Sequence, residues 1–329
     1  METKKQEELT PITNKIKLDG EIERAFMKFL GSHAPIQKFE EGTPKELAEY
    51  LDQLYINMNG HWPANAQIRR QDFETKAADQ SDVKMRWYTP EDIADESPAV
   101  VFIHGGGHVA GSVDLYDRVV ANYVQRSNVP FLSVEYGLSP QTNGKDQAEQ
   151  AFAAIIWLRE NAGQLGINKD RIAIMGDSAG GGIAAAAAIL ARDRRIHLAR
   201  QILIYPMLDY RNTIPDEHIE PFTMVGYQVI KTAWDAVISP DHLSGHDLMI
   251  ASPALLDKFE DLAPIYISVG DLDYFKVENL EYARKAAEAG VPLEFHLHPG
   301  APHGFELFTP EAPVAERATA DHINAIKSF

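Results

Sequence analysis

Gly176-Asp177-Ser178-Ala179-Gly180 is the stretch that decides the fold. It follows the apolar run 171–175 and opens an alanine-rich segment over 181–191. This order predicts a strand, a sharp turn and a helix, with Ser178 held at the turn in a strained conformation and its Oγ exposed. The residues around the serine are small because larger side chains would collide with the neighbouring strand and helix. Ser178 is therefore the candidate nucleophile.

The pattern around this turn predicts an α/β fold. Eight β-prone runs lie near residues 68–73, 83–88, 99–103, 130–136, 171–175, 201–205, 264–269 and 293–298. Helical patterns, such as 147–162 and 280–289, separate the later runs. Continuous apolar runs bounded by helices are typical of a mostly parallel sheet with helices on both faces. The early strands are joined by short turns, and we expect them to be antiparallel.

Two segments without strand signals predict a helical cap. Residues 1–65 are polar and carry apolar residues at helical spacing, so we expect an N-terminal helical cap segment. Residues 66–329 would form the catalytic domain, with a helical cap insertion around 209–255. The large apolar side chains of this insertion include Phe222, Met224, Tyr227 and Trp234.

The charge and cysteine content of the chain limit the classes of partner and of chemistry that are expected. The 48 acidic and 31 basic residues give a net charge of −17, which repels phosphate backbones and anionic membrane surfaces. Nucleic acid is therefore not expected as a partner. The chain has no cysteine, which excludes disulfides and a cysteine nucleophile. With no signal-peptide pattern and no apolar run long enough to span a membrane, a cytoplasmic protein is expected.

A glycine-rich loop supplies candidate oxyanion donors. His104-Gly105-Gly106-Gly107-His108 directly follows the predicted strand 99–103. Consecutive glycines leave backbone N–H groups unobstructed and allow them to converge on one point, as a tetrahedral oxyanion requires. Acyl-transfer sites place these donors in such a loop and at the residue after the nucleophile. The candidate oxyanion hole is therefore formed by Gly106, Gly107 and Ala179.

The candidates for the catalytic base, and for the carboxylate that orients it, follow the last two predicted strands. Asp271 and Asp273 both follow the apolar run 264–270, and spacing alone does not choose between them. His303 lies in a loop whose glycines and prolines restrict the imidazole, and it completes the chain order Ser, Asp, His. His296 and His298 alternate on the preceding strand, so they share a face where structural or surface roles are expected.

These motifs resemble the hormone-sensitive-lipase-like, bacterial family IV branch of the α/β-hydrolase carboxylesterases. The match covers roughly residues 80–310 and rests on the loop 104–107, the turn 176–180, Ala251-Ser252-Pro253 and the segments around Asp273 and His303. The resemblance implies an α/β-hydrolase fold, Asp273 as the triad acid, and a possible homodimer formed through the edge of the last strand. Two departures are Glu135-Tyr136-Gly137-Leu138-Ser139-Pro140-Gln141, which lacks charged residues common in the family, and His108, where Phe or Trp is frequent.

The sequence thus predicts an ester hydrolase with a triad of Ser178, Asp273 and His303, acting on short- to medium-chain acyl esters. Such chemistry needs no metal and no organic cofactor. Two alternatives stay open. One is a binding protein on the same scaffold, and the other is a serine amidase or acyltransferase.

Overall fold

The computed structural model describes residues 16–31, 38–212, 214–223, 225–238 and 243–329. Met224, expected in the cap insertion, lies outside these residues. Within the described ranges, no helix combines the length and the apolar character needed to cross a bilayer.

One eight-stranded sheet forms the centre of the molecule, and all eight predicted strands belong to it. Its strand order is β1-β2-β4-β3-β5-β6-β7-β8. The strands are β1 Arg69–Lys76, β2 Asp82–Thr89, β3 Ser97–Ile103, β4 Phe131–Glu135, β5 Ile167–Asp177, β6 Arg200–Ile204, β7 Ile265–Leu272 and β8 Leu293–Pro302. β1 and β2 are antiparallel to their neighbours, as the short early turns predicted, and the other pairings are parallel. The predicted α/β-hydrolase fold is confirmed.

Helices cover both faces of this sheet. They are α1 Gly20–Gly31, α2 Pro44–His61, α3 Asp117–Ser127, α4 Gly144–Glu160, α5 Ala162–Leu165, α6 Ala179–Asp193, α7 Tyr227–Val237, α8 Gly245–Ala251, α9 Lys276–Glu288, α10 Phe305–Phe308 and α11 Pro313–Lys327. Two short 3₁₀ turns lie at Glu220–Phe222 and Pro253–Leu255. One apolar core joins the sheet to α3 and α11, and a second joins the opposite face to α4, α6 and α9.

The N-terminal helix α2 begins at a well-formed cap. Thr43 accepts a hydrogen bond from the amide of Glu46, and the Glu46 carboxylate accepts one from the amide of Thr43. This reciprocal pair satisfies amides that the first helical turn leaves without partners. The apolar spacing noted in the sequence places one face of α2 against α7 and α3.

The turn between β5 and α6 has the strained geometry that its sequence predicted. Ser178 has φ 55° and ψ −123°, a region that non-glycine residues rarely occupy. A Cβ placed on Gly180 would lie 2.2 Å from the carbonyl oxygen of Ile103 and 2.4 Å from that of His104. The turn therefore lies in direct backbone contact with the end of β3.

Gly180→Ala should lower the free energy of unfolding by about 1–3 kcal/mol, because the added methyl meets backbone atoms that cannot move independently. Gly163→Ala is the matched control, since nothing lies within 4 Å of a Cβ built on Gly163. There the added methyl group only reduces the conformational entropy of the unfolded chain. Urea unfolding followed by circular dichroism measures both. Equal stability of the two variants would contradict the close approach at Gly180.

Candidate active site

Three predicted residues meet at the ends of β5, β7 and β8. The Nε2 atom of His303 lies 2.9 Å from the Oγ of Ser178, and its Nδ1 lies 2.7 Å from an oxygen of Asp273. Asp273 also accepts a hydrogen bond of 2.8 Å from the amide of Phe275, which fixes the carboxylate. All three side chains are almost fully buried. The structure thus forms one continuous hydrogen-bonded chain from hydroxyl to carboxylate.

The direction of these bonds follows from the chemistry of the groups. An ionised carboxylate can only accept, so the Nδ1 of His303 carries the proton and its Nε2 is free to accept from Ser178. Burial lowers the pKa of His303, but the nearby carboxylates of Asp273, Asp177 and Glu306 raise it, and the pKa lies above the ordinary histidine value. The arrangement favours a ring that gains a proton readily.

The glycine loop after β3 has open amides. Gly106 has φ 128° and Gly107 has φ 57°, conformations that favour glycine. The amides of Gly106, Gly107 and Ala179 donate to no protein acceptor in the part of the chain that the structure describes. Three candidate donors therefore remain available to a ligand oxygen.

The two candidate aspartates make different contacts. Asp271 accepts a hydrogen bond of 2.7 Å from the amide of Gly300, so it holds the strand end that leads to His303. Asp273 is the carboxylate that faces the imidazole. The other two histidines have the structural positions expected of them: His298 lies 3.0 Å from the Oγ of Ser268, and its ring stacks on His296.

Two buried carboxylic acids beside the site carry no distinguishing signal in the sequence. Tyr116 donates a hydrogen bond of 2.8 Å to Asp177, and burial raises the pKa of Asp177 to about 6. Tyr205 donates one of 2.6 Å to Glu306, and burial raises the pKa of Glu306 to about 7. One oxygen of each carboxyl group has no hydrogen-bond partner among the described residues.

The Tyr205 ring also packs edge-on against His303, with ring centroids 4.6 Å apart. It therefore holds the imidazole from the side while its hydroxyl reaches Glu306. Glu306 lies three residues after His303, but nothing in that spacing announces a buried acid.

The segment 135–141, which departs from the family pattern, makes hydrogen bonds to the glycine loop and to the residues after it. Tyr136 donates its hydroxyl to the carbonyl of His104, and the amide of Ser139 donates to the carbonyl of His108. Glu135 accepts from the amide of Val113 at 2.6 Å. The segment therefore supports the glycine loop and the residues that follow it.

His108 is buried between the body and α7. Its Nδ1 lies 2.6 Å from the side-chain oxygen of Gln147, and its ring lies 5.6 Å from that of Trp234. Burial lowers the pKa of His108 to about 4, so the ring is neutral near pH 7. It packs where the family often has a larger aromatic side chain.

Fold and site together define an α/β-hydrolase-fold protein with a serine, histidine and aspartate at its strand ends. A family model of the alpha/beta hydrolase fold matches residues 100–307. The chain belongs to this family, and the resemblance to its hormone-sensitive-lipase-like branch is confirmed.

Individual relatives agree with this placement. Carboxylesterase NlhH from Mycobacterium tuberculosis is 31% identical over 255 residues, which are 75% of this chain and 78% of that protein. Ethyl acetate hydrolase from Pseudomonas putida is 31% identical over 241 residues, 71% of this chain and 74% of that protein. Among solved structures, a bacterial heroin esterase has a TM-score of 0.82 at 27% identity, covering 94% of this chain and 97% of that one.

Asp273→Asn should reduce kcat for a p-nitrophenyl ester about ten-thousand-fold, because an amide can donate to Nδ1 and thereby stabilises the wrong tautomer. Asp271→Asn is the control: it keeps an oxygen that can accept from Gly300 and should retain most of the activity. Steady-state kinetics with both variants checks the assignment. A larger loss in Asp271→Asn would show that the two aspartates have been assigned the wrong way round.

Proposed function

We propose that this protein is a carboxylesterase that hydrolyses small-molecule esters through Ser178, His303 and Asp273. The observation that carries the proposal is the buried hydrogen-bonded chain of these three side chains. A hydroxyl bonded to a neutral imidazole, which is in turn oriented by a carboxylate, is the arrangement that activates serine as a nucleophile. The esterase relatives support the same reaction.

The first half of the reaction transfers the acyl group to the serine. His303 takes the proton of Ser178 as Oγ bonds to the ester carbonyl carbon, and the carbonyl electron pair moves to oxygen. The amides of Gly106, Gly107 and Ala179 donate to that oxyanion. When the intermediate collapses, the bond to the alcohol breaks and the alcohol leaves with the proton from His303.

The second half releases the acid. Water gives a proton to His303 and attacks the acyl carbon, forming a second oxyanion in the same place. Collapse breaks the bond to Oγ, Ser178 regains its proton, and the carboxylic acid departs. Asp273 remains ionised throughout and stabilises each imidazolium that forms.

Short- to medium-chain acyl esters are the substrate class that we propose. Residues 1–65 and the insertion around 209–255 would form the cap, whose aromatic and aliphatic side chains would line an acyl pocket. Ethyl acetate, the substrate in the name of one relative, has a two-carbon acyl group and supports the short end of this range.

We also propose a cytoplasmic location and a homodimer formed through the edge strand β8. Sedimentation in solution would test the homodimer.

An ester panel with a covalent label tests the function. Hydrolysis of p-nitrophenyl acetate, butyrate and octanoate should exceed that of palmitate, and Ser178→Ala should abolish it, because the variant lacks the attacking oxygen. A fluorophosphonate should label the wild type once, at Ser178, as read by peptide mass spectrometry. The absence of a label on wild type would rule out the serine mechanism, and faster turnover of palmitate would overturn the proposed chain length.

The pH dependence should show a base with a raised pKa. Ionised carboxylates raise the pKa of His303, so kcat/KM should fall as pH drops through a midpoint above about 6.5, the ordinary histidine value. Glu306→Gln removes one of these charges but keeps an acceptor for Tyr205, and it should move the midpoint to lower pH. A rate that stays flat between about pH 5 and 8 would be inconsistent with a histidine base.

A further inference from the structure

The loop that carries Gly106 and Gly107 contains few regular hydrogen bonds of its own. Two amides, those of Val109 and Ala110, donate to the carbonyl of Gly106, and the loop then turns at Gly111 with φ 89°. A loop of this kind belongs to no helix or strand, so the aim of its amides depends on contacts with neighbouring elements. The residues that make those contacts are therefore candidates for controlling the rate of turnover.

Gly111 lies close to the backbone that carries the candidate oxyanion donors. A Cβ built on Gly111 would lie 2.6 Å from the carbonyl oxygen of Gly105, and one built on Gly106 would lie 2.0 Å from that of Ala110. The two ends of the loop therefore lie in backbone contact. Because of this contact, we infer that a shift of Gly111 would displace the peptides next to Gly106.

A side chain of the N-terminal segment holds this point. Asp52, a half-buried residue of α2, accepts a hydrogen bond of 2.9 Å from the amide of Gly111. The same face of α2 approaches the site at two more places: Leu51 would lie 3.5 Å from a Cβ on Gly107, and the Tyr55 ring lies 5.2 Å from that of Tyr116. The helix thus packs on the glycine loop and on the tyrosine that binds Asp177.

We propose that Asp52 is a positioning residue that fixes the oxyanion loop for the transition state. The proposal rests on the proposed esterase function. A carboxylate that accepts from a backbone amide makes one of the stronger hydrogen bonds available to a protein, and it is directional. A negative charge near an oxyanion would oppose catalysis, so the contribution of Asp52 is geometric. A neutral acceptor of the same shape should therefore replace it.

The test compares Asp52→Ala, Asp52→Asn and the control Glu49→Ala, which removes an exposed acid from the same helix. Asp52→Ala should lower kcat roughly tenfold to a hundredfold with little change in KM, because a misdirected oxyanion hole weakens transition-state binding only. Inhibition by an aryl trifluoromethyl ketone, which forms an oxyanion on the serine, should weaken by a similar factor. Asp52→Asn should restore kcat to within about threefold, and Glu49→Ala should match the wild type.

The role of Asp52 is overturned if Asp52→Ala keeps wild-type kcat, if Asp52→Asn loses as much as Asp52→Ala, or if Glu49→Ala loses equally. Should circular dichroism show that Asp52→Ala is unfolded, Asp52→Glu replaces it. The longer side chain displaces the acceptor and should lower kcat, and equal rates for the Glu and Asn variants would overturn the proposal. A wild type that neither hydrolyses esters nor takes the label would instead defeat the esterase function itself.

Discussion

The strained backbone at Ser178 is the constraint on which the site depends. Its positive φ is maintained by ordinary hydrogen bonds on either side: the amide of Ser178 donates 2.9 Å to the carbonyl of Ile204, and its own carbonyl accepts from Gly182 and Met207. These bonds join the turn to β6 and to α6, so the conformational cost is offset by structure that would form anyway. The result is a hydroxyl at the end of β5 that lies within hydrogen-bond distance of His303.

Around that hydroxyl the protein places several buried acidic groups. Asp177 precedes the serine and Glu306 follows the histidine by three residues, and each is buried and accepts a hydrogen bond from a tyrosine hydroxyl. Together with Asp273 they favour a positive charge on the His303 ring. Burial has the opposite effect on the two acids themselves, because it favours their neutral forms and raises the pKa of Asp177 and of Glu306.

Much of this could be predicted from local sequence, and the remainder could not for a physical reason. The turn, the glycine loop and the eight strands are encoded by residues adjacent in the chain. The strand β8 extends to Pro302, past its predicted end at 298, because it pairs again with Leu272 after a register shift that no pattern reveals. The bonds of Tyr116 to Asp177, Tyr205 to Glu306 and Asp52 to Gly111 join residues 61, 101 and 59 positions apart. Only the fold brings such partners together.

The docking of α2 on the glycine loop has a consequence for engineering. Helices that cover the active site of a hydrolase are attractive parts to exchange between relatives, since the exchange is meant to change only which molecules enter. Here the same helix also touches backbone next to the reacting centre, and Trp62 just beyond it donates to the carbonyl of Leu307 behind the histidine. A chimera that imports a foreign amino-terminal segment would therefore alter selectivity and speed together, unless the graft carries an acceptor to the same amide.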